Sequence, residues 1–326
     1  MANENVTVKN VDSFIITGFD HLQNQKLLGF LILITYMLIL LGNSINLCII
    51  LTDRHLHKPM YILICNLAVV DIMYSSTCST TMISVLLAEI KTVSYYSCFS
   101  RTYLYHLGDF TECMALTLMA IDRLVAVRLP LRYHSIVTNS RILLLICVTW
   151  IAGFAVIGFL TSVLDRVPYC QPVIKYVFCE YASMIRAACV NPEPYFFLPV
   201  MLSLWPMCGQ FPFIVCTYAV LAYSVTKLSN NSGRKQMINT CSSHLIVLLS
   251  FYAPKLLTSL LTRIGVMLNL TERNAILIVA SIVPPLINPT VYCTRTKEIR
   301  KRLADLFLHK KIVPNNLKSI SLALSS

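Results

Sequence analysis

Two stretches of the chain contain no Asp, Glu, Lys, Arg or His: LLGFLILITYMLILLGNSINLCIILT, from Leu27 to Thr52, and ILLLICVTWIAGFAVIGFLTSVL, from Ile142 to Leu164. Each exceeds the roughly 20 residues that a helix needs to cross about 30 Å of hydrocarbon. Uncharged windows recur from Tyr195 to Thr226 and from Asn274 to Thr294. Three more apolar windows carry isolated ionisable residues: Pro59 to Ala88 with Asp71, Thr102 to Ile121 with Asp109 and Glu112, and Leu245 to Thr262 with Lys255. The pattern predicts seven spans. Backbone groups in lipid must pair within their own segment, so helices are expected and internal prolines become kinks. The chain is 56% hydrophobic and 13% charged, outside the balance of a soluble domain.

The expected fold class is therefore an all-α membrane protein, a seven-transmembrane helix bundle filling 1–326 as one domain. It divides into a tail (1–26), the bundle (27–294) and a second tail (295–326). In that last tail Ile299, Leu303, Leu306 and Phe307 recur at i, i+4, i+7 and i+8, with Arg300, Lys301 and Arg302 between them. This predicts a short amphipathic helix lying on membrane lipid.

Basic residues set the orientation. With the N-terminus outside, seventeen of the 27 lysines and arginines fall in inner loops and the C-terminal tail, nine in outer segments, and Lys255 within a span. The positive-inside rule favours that orientation. The net charge of +12 then belongs to a cytoplasmic, membrane-facing surface, and no nucleic-acid partner is expected. The first 25 residues have no apolar core of the signal-peptide kind, so the first span is expected to direct insertion. Of thirteen cysteines, only Cys98, Cys170, Cys179 and Cys189 fall in outer segments where oxidation is permitted; four can pair in three ways. Sequons at Asn5 and Asn269 are outside and one at Asn230 is inside, and Asn5, on the tail, is the expected glycosylation site.

MAIDRLVAVRLPLRY, Met119 to Tyr133, places Asp122 beside Arg123 at the inner end of the third span. Taken alone, such a pair is an ordinary interfacial anchor. The whole stretch, however, resembles the MAYDRYVAICxPLRY signature of olfactory receptors in the rhodopsin-like G-protein-coupled receptor superfamily. The likeness continues in order: Gly42-Asn43, LHKPMY at Leu56 to Tyr61, NLAVVD ending at Asp71, KQMINTCSSHL at Lys235 to Leu245, and PPLINPTVY at Pro284 to Tyr292. Ile121 and Leu124 replace the tyrosines usual in the signature, and FYAP at Phe251 to Pro254 stands where many members have FYG.

This resemblance implies a plasma-membrane odorant receptor that binds a small molecule in its outer half and activates a heterotrimeric G protein, of the olfactory stimulatory type that raises cyclic AMP. Arg123, neutralised by Asp122, would help hold the inner ends of the third and sixth helices at rest. Asn288-Pro289 and Tyr292 would form a switch in the last helix. The resemblance selects Cys98–Cys179 and Cys170–Cys189 as disulfides. It also puts Asp71 and Glu112 in a central cation pocket with oxygen ligands suited to Na+; the other reading is protonated carboxyls bonded to Asn43 or Asn288. Beyond that Na+, no cofactor is expected.

Helical spacing nominates the ligand site. His106, Asp109, Phe110 and Cys113 share one face of the third helix, and Tyr252, Lys255, Ser259 and Arg263 recur along the sixth. A lone buried ammonium is costly, so Lys255 is expected to pair with Asp109. Arg263 and His106 would then favour acidic or strongly hydrogen-bond-accepting odorants over amines. Two rivals remain: a non-olfactory rhodopsin-like receptor, which would more often carry CWxP than FYAP in the sixth helix, and a secondary transporter, which would usually show an internal repeat. The Ser, His and Cys residues have no hydrolase or metal-ligand spacing, so an enzyme is not expected.

Overall fold

The computed structural model describes residues 11–226, 231–263, 268–295 and 297–309, with side chains described throughout except at 225, 231–237, 239–240, 258–263, 294–295, 297 and 305–309. Long helices dominate: α1 (Gln25–Thr52), α2 (Pro59–Leu86), α3 (Tyr95–Arg128) and α4 (Asn139–Asp165), then the short α5 (Tyr181–Ala187) in the long outer loop. A broken helix follows as α6 (Phe197–Leu204), a π-helical turn (Trp205–Gln210) and α7 (Phe211–Thr226), and then α8 (Asn231–Arg263), α9 (Leu270–Arg295) and α10 (Lys297–His309).

Five helical segments among the described residues are long and apolar enough to cross a membrane: Gln25–Thr52, Pro59–Leu86, Asn139–Asp165, Glu193–Ser224 and Leu270–Cys293. The two other long helices, α3 and α8, are those whose apolar runs carry the ionisable residues Asp109, Glu112 and Lys255. Leu, Ile, Val and Phe side chains stand exposed along α1 and α4, among them Phe30, Leu41, Leu144 and Phe159. Apolar bands of that extent suit lipid, not water, and the protein is a multi-pass membrane protein.

Local chemistry explains several boundaries. Ser94 caps α3 by accepting the Ser97 amide at 3.3 Å, and Thr138 caps α4 through Arg141 at 3.4 Å. At the start of α9, Asn269 and Glu272 cap each other reciprocally at 2.8 and 2.9 Å. Pro254 sits inside α8, and Pro284, Pro285 and Pro289 inside α9.

The N-terminal tail contributes a strand. Strand β1 (Ser13–Ile16) pairs antiparallel with β2 (Thr92–Ser94) and parallel with β3 (Val173–Ile174), giving the order β2-β1-β3. Phe14, Ile16 and Phe19 are buried there. Gly18 lies so close to the Tyr176 backbone that a Cβ would collide with it, which reserves the position for glycine. Asn274 locks the arrangement by donating to the carbonyls of Gly18 and Lys175 at 3.2 and 3.3 Å. Asn5 lies outside the described residues.

Two apolar cores fill the bundle. The outer one gathers Phe14, Met82, Leu107, Leu160 and Phe178, and the inner one Leu63, Leu116, Met119, Val247 and Tyr292. Along α2 and α3 the two meet at a polar layer containing Asp71 and Glu112, both buried. On the inner side, α10 begins with Ile299 fully buried, and Arg302 pairs with Asp53 in the first inner loop at 2.5 Å. Leu306 and Phe307, the second half of the expected apolar stripe, have side chains outside the described residues.

Candidate functional site

In its outer half the bundle encloses a cavity of about 360 Å³. His106, Asp109, Phe110 and Cys113 line it from α3, and Tyr252 and Lys255 from α8. Helical spacing thus brings six of the eight nominated residues to one space. The side chains of Ser259 and Arg263 lie outside the described residues. The walls also include Tyr105, Glu180, Trp205, Gln210 and Arg273, which the sequence reading missed. Gln210 was a lone amide in an uncharged run, and Glu180 an acid following Cys179; neither carries a periodic signal.

Asp109 and Lys255 form an ion pair between α3 and α8, and the Lys255 ammonium sits 3.4 Å from the centre of the Phe251 ring. Each charge thereby offsets part of the other's desolvation cost within the bundle. His106 Nε2 accepts the Tyr181 amide at 3.3 Å, which ties α3 to the outer loop. Cys113 Sγ donates to Gln210 Oε1 at 2.5 Å and lies 3.3 Å from the Tyr252 hydroxyl. Near the outer loop, burial pushes the Glu180 carboxyl up to about 7, with the charge of Arg273 pulling it partly back. Arg273 itself lies over the Tyr176 ring at 5.5 Å.

Two disulfides hold this roof. Cys98 bonds Cys179 across 81 residues, with Cα atoms 5.4 Å apart, and Cys170 bonds Cys189 across 19 residues at 5.2 Å. The first ties α3 to the loop that supplies Glu180 and Tyr181.

Beneath the cavity, Asn288 donates to Asp71 Oδ1 and Oδ2 at 3.0 and 3.1 Å and approaches Glu112 Oε1 at 3.4 Å. Glu112 Oε2 and Asn288 Oδ1 are buried and have no hydrogen-bond partner among the described residues. Two carboxylates around one amide leave uncompensated oxygens of the type a hard cation takes, so the residues present fit Na+. Asn43 is committed elsewhere, to the carbonyls of Ile39 at 3.1 Å and Pro285 at 3.3 Å.

At the inner end, Arg123 pairs with Asp122 at 3.0 Å and donates to Met60 Sδ on α2. The Tyr133 hydroxyl, on a single helical turn (Tyr133–Ile136) of the second inner loop, donates to Asp122 Oδ1 at 2.7 Å. Between α7 and α8 the Tyr218 hydroxyl meets His244 Nδ1 at 2.6 Å. Tyr292 packs in the inner core with its hydroxyl 3.6 Å from Met119 Sδ. The acid-base pair is present, and its hydrogen-bond partners among the described residues lie on α2 and the inner loop, while Tyr218 bonds α8 at His244.

A family model described as olfactory receptor matches residues 32–310. The chain is 32% identical over 299 residues to olfactory receptor 10G4 of Homo sapiens, covering 91% of this chain and 95% of that protein. It is 31% identical over 293 residues to olfactory receptor 6N1 of Homo sapiens, covering 89% and 93%. It is 32% identical over 301 residues to olfactory receptor 10D1B of Mus musculus, covering 90% and 94%.

Proposed function

Because this chain belongs to the olfactory receptor family, and is therefore an odorant receptor that signals through a G protein and not an enzyme, we propose that the outer cavity is its odorant site. The observation that carries this reading is the convergence of His106, Asp109, Phe110, Cys113, Tyr252 and Lys255 on one cavity. Aromatic and aliphatic walls with a few fixed polar groups suit a small, largely apolar ligand. Ser259 and Arg263, on the outer part of α8, complete the proposed site.

We read the chain as one domain over 1–326 with seven spans, α3 and α8 joining the five more apolar segments, in the plasma membrane with the N-terminus outside. Asn5 would then carry the glycan, and α10 would lie on the inner leaflet with Arg300, Lys301 and Arg302 toward lipid headgroups. Na+ would be held by Asp71, Glu112 and Asn288, where its charge would offset the two acids. Within the chain, Asn288 and Pro289 join that layer to the inner core holding Tyr292, so ligand-driven movement of α9 would reach Arg123 and the G protein, of the stimulatory olfactory type.

The test is a screen of volatile small molecules against cells expressing the chain, read as cyclic AMP, with Leu202→Trp as a cavity-filling comparison. Leu202 lines the cavity, so the reading expects responses from the native chain that the variant loses at equal surface density. A ligand that acts equally on both would place the site elsewhere.

A further inference from the structure

The π-helical turn Trp205–Gln210 reshapes one wall of the cavity. Its sequence, WPMCGQ, contains Pro206, which has no amide hydrogen to donate, and Gly209, a poor helix former. The Phe211 amide reaches back five residues to the Pro206 carbonyl. Such turns interrupt the regular helical phase and are frequent at functional sites. Here the turn ends at Gln210, which is 6% exposed and lies against α3.

The Gln210 side chain is held unequally. Its oxygen accepts from Cys113 Sγ at 2.5 Å, whereas its amide nitrogen, among the described residues, donates only to the thioether of Met114, at 3.1 Å. A thioether is a weak acceptor, and a primary amide has two hydrogens to place. Gln210, Cys113 and Met114 all line the cavity. The wall therefore offers a buried amide donor whose present partner is poor, and an incoming oxygen would be a better one.

The charges nearby narrow the choice of oxygen. Lys255 is paired with Asp109, and Arg273 stands beside Glu180 and over Tyr176. Among the described residues a carboxylate at Gln210 would lose its water without gaining a cation, and an ammonium would set a donor against a donor. A carbonyl loses little on desolvation and accepts directly.

We infer that Gln210 determines the specificity of the cavity, selecting odorants with a neutral oxygen acceptor, a ketone, aldehyde or ester carbonyl, over carboxylates, amines and hydrocarbons. This rests on the reading of the cavity as the odorant site; it keeps the hydrogen-bond-accepting half of the sequence-based preference and replaces its acidic half, which rested on Arg263.

The experiment uses the full chain in cells with a cyclic AMP readout. Straight-chain methyl ketones of graded length are compared with the matched alkenes, carboxylates and amines, on the native chain, Gln210→Met, Met114→Leu and Leu202→Trp. Ketones should be the most potent class. Gln210→Met should cost them about tenfold in potency, the loss of one hydrogen bond, while alkenes stay within about twofold. Met114→Leu removes the competing acceptor and should move ketone potency upward, a change that a purely structural role for Gln210 does not produce. If Gln210→Met does not reach the surface, the Met114→Leu shift decides alone. Silent ketones, equal losses for ketone and alkene, or no gain in Met114→Leu overturn the assignment. A ligand of any class that persists in Leu202→Trp instead overturns the cavity reading on which it stands.

Discussion

Asn288 spreads one amide nitrogen over both carboxylate oxygens of Asp71, at 3.0 and 3.1 Å, while its own oxygen is buried with no partner among the described residues. With Glu112 alongside at 3.4 Å, the layer holds more acceptor than donor. A cation or protons must make up the difference, because two adjacent carboxylates do not both ionise unaided in such surroundings.

If Na+ fills that role, ligand potency in the native receptor should depend on sodium, and either Asp71→Asn or Glu112→Gln should remove the dependence. Dose–response curves in sodium and in an organic cation at equal ionic strength make the comparison. A sodium effect of native size in both variants would leave protonation as the compensation.

At the inner end, Asp122 is held from two sides, by Arg123 at 3.0 Å and Tyr133 at 2.7 Å. Arg123→Ala should abolish cyclic AMP signalling at near-native surface density, because the proposed contact with the G protein would be lost. Tyr133→Phe removes only a hydrogen bond to the buried acid, worth about 1.5–3 kcal/mol, and should raise basal signalling by loosening the resting clamp. Unchanged basal cyclic AMP in Tyr133→Phe would reduce that bond to a packing detail.

The two disulfides close loops of different length, and in the chain-entropy account the 81-residue loop is worth about 4.5 kcal/mol and the 19-residue loop about 3 kcal/mol. Replacing Cys98 or Cys179 by Ser should therefore depress surface delivery more than replacing Cys170 or Cys189. Peptide mapping of unreduced protein checks the pairing directly; a Cys98–Cys170 peptide would contradict it.

Glu180 gives the fold a pH dependence. Its carboxyl titrates at about 7 in the folded protein against 4.5 for the ordinary group. Between those values the folded state keeps a proton that the unfolded chain has lost, so the contribution to stability falls as pH rises through that window. The thermal midpoint of the purified receptor should decline from about pH 5 to about pH 7, and Glu180→Gln should flatten that decline. Identical profiles for the two proteins would assign the slope to other groups.

How far the sequence could be read depended on the range of the interaction. The uncharged window Leu27 to Thr52 reports α1 directly, because crossing a membrane depends on length and composition alone. The Asp109–Lys255 pair was legible from cost, since an ammonium within a span calls for a counterion. The meeting of Tyr218 with His244 was not, because two helices must first pack before those residues become neighbours. The π turn was hidden for another reason: Pro206 and Gly209 mark a break, but neither says which way Gln210 turns afterwards. The SFII of β1 was read as part of a polar tail because its partners are strands of only two or three residues, too short to register as a pattern.

That small sheet also fixes an order of assembly. Thr17 bonds to the carbonyl of Ile174, 157 residues further along the chain. At ribosomal speeds of about 5–20 residues per second, β1 emerges roughly 8 to 30 s before β3 has been made. For that interval Phe14 and Ile16 lack part of the sheet that buries them, and the tail must wait while helices α1 to α4 are made. The outer face of this receptor is thus finished late, by its earliest residues, and slower translation between α2 and β3 lengthens the time for which an apolar N-terminal segment stands open to the wrong partner.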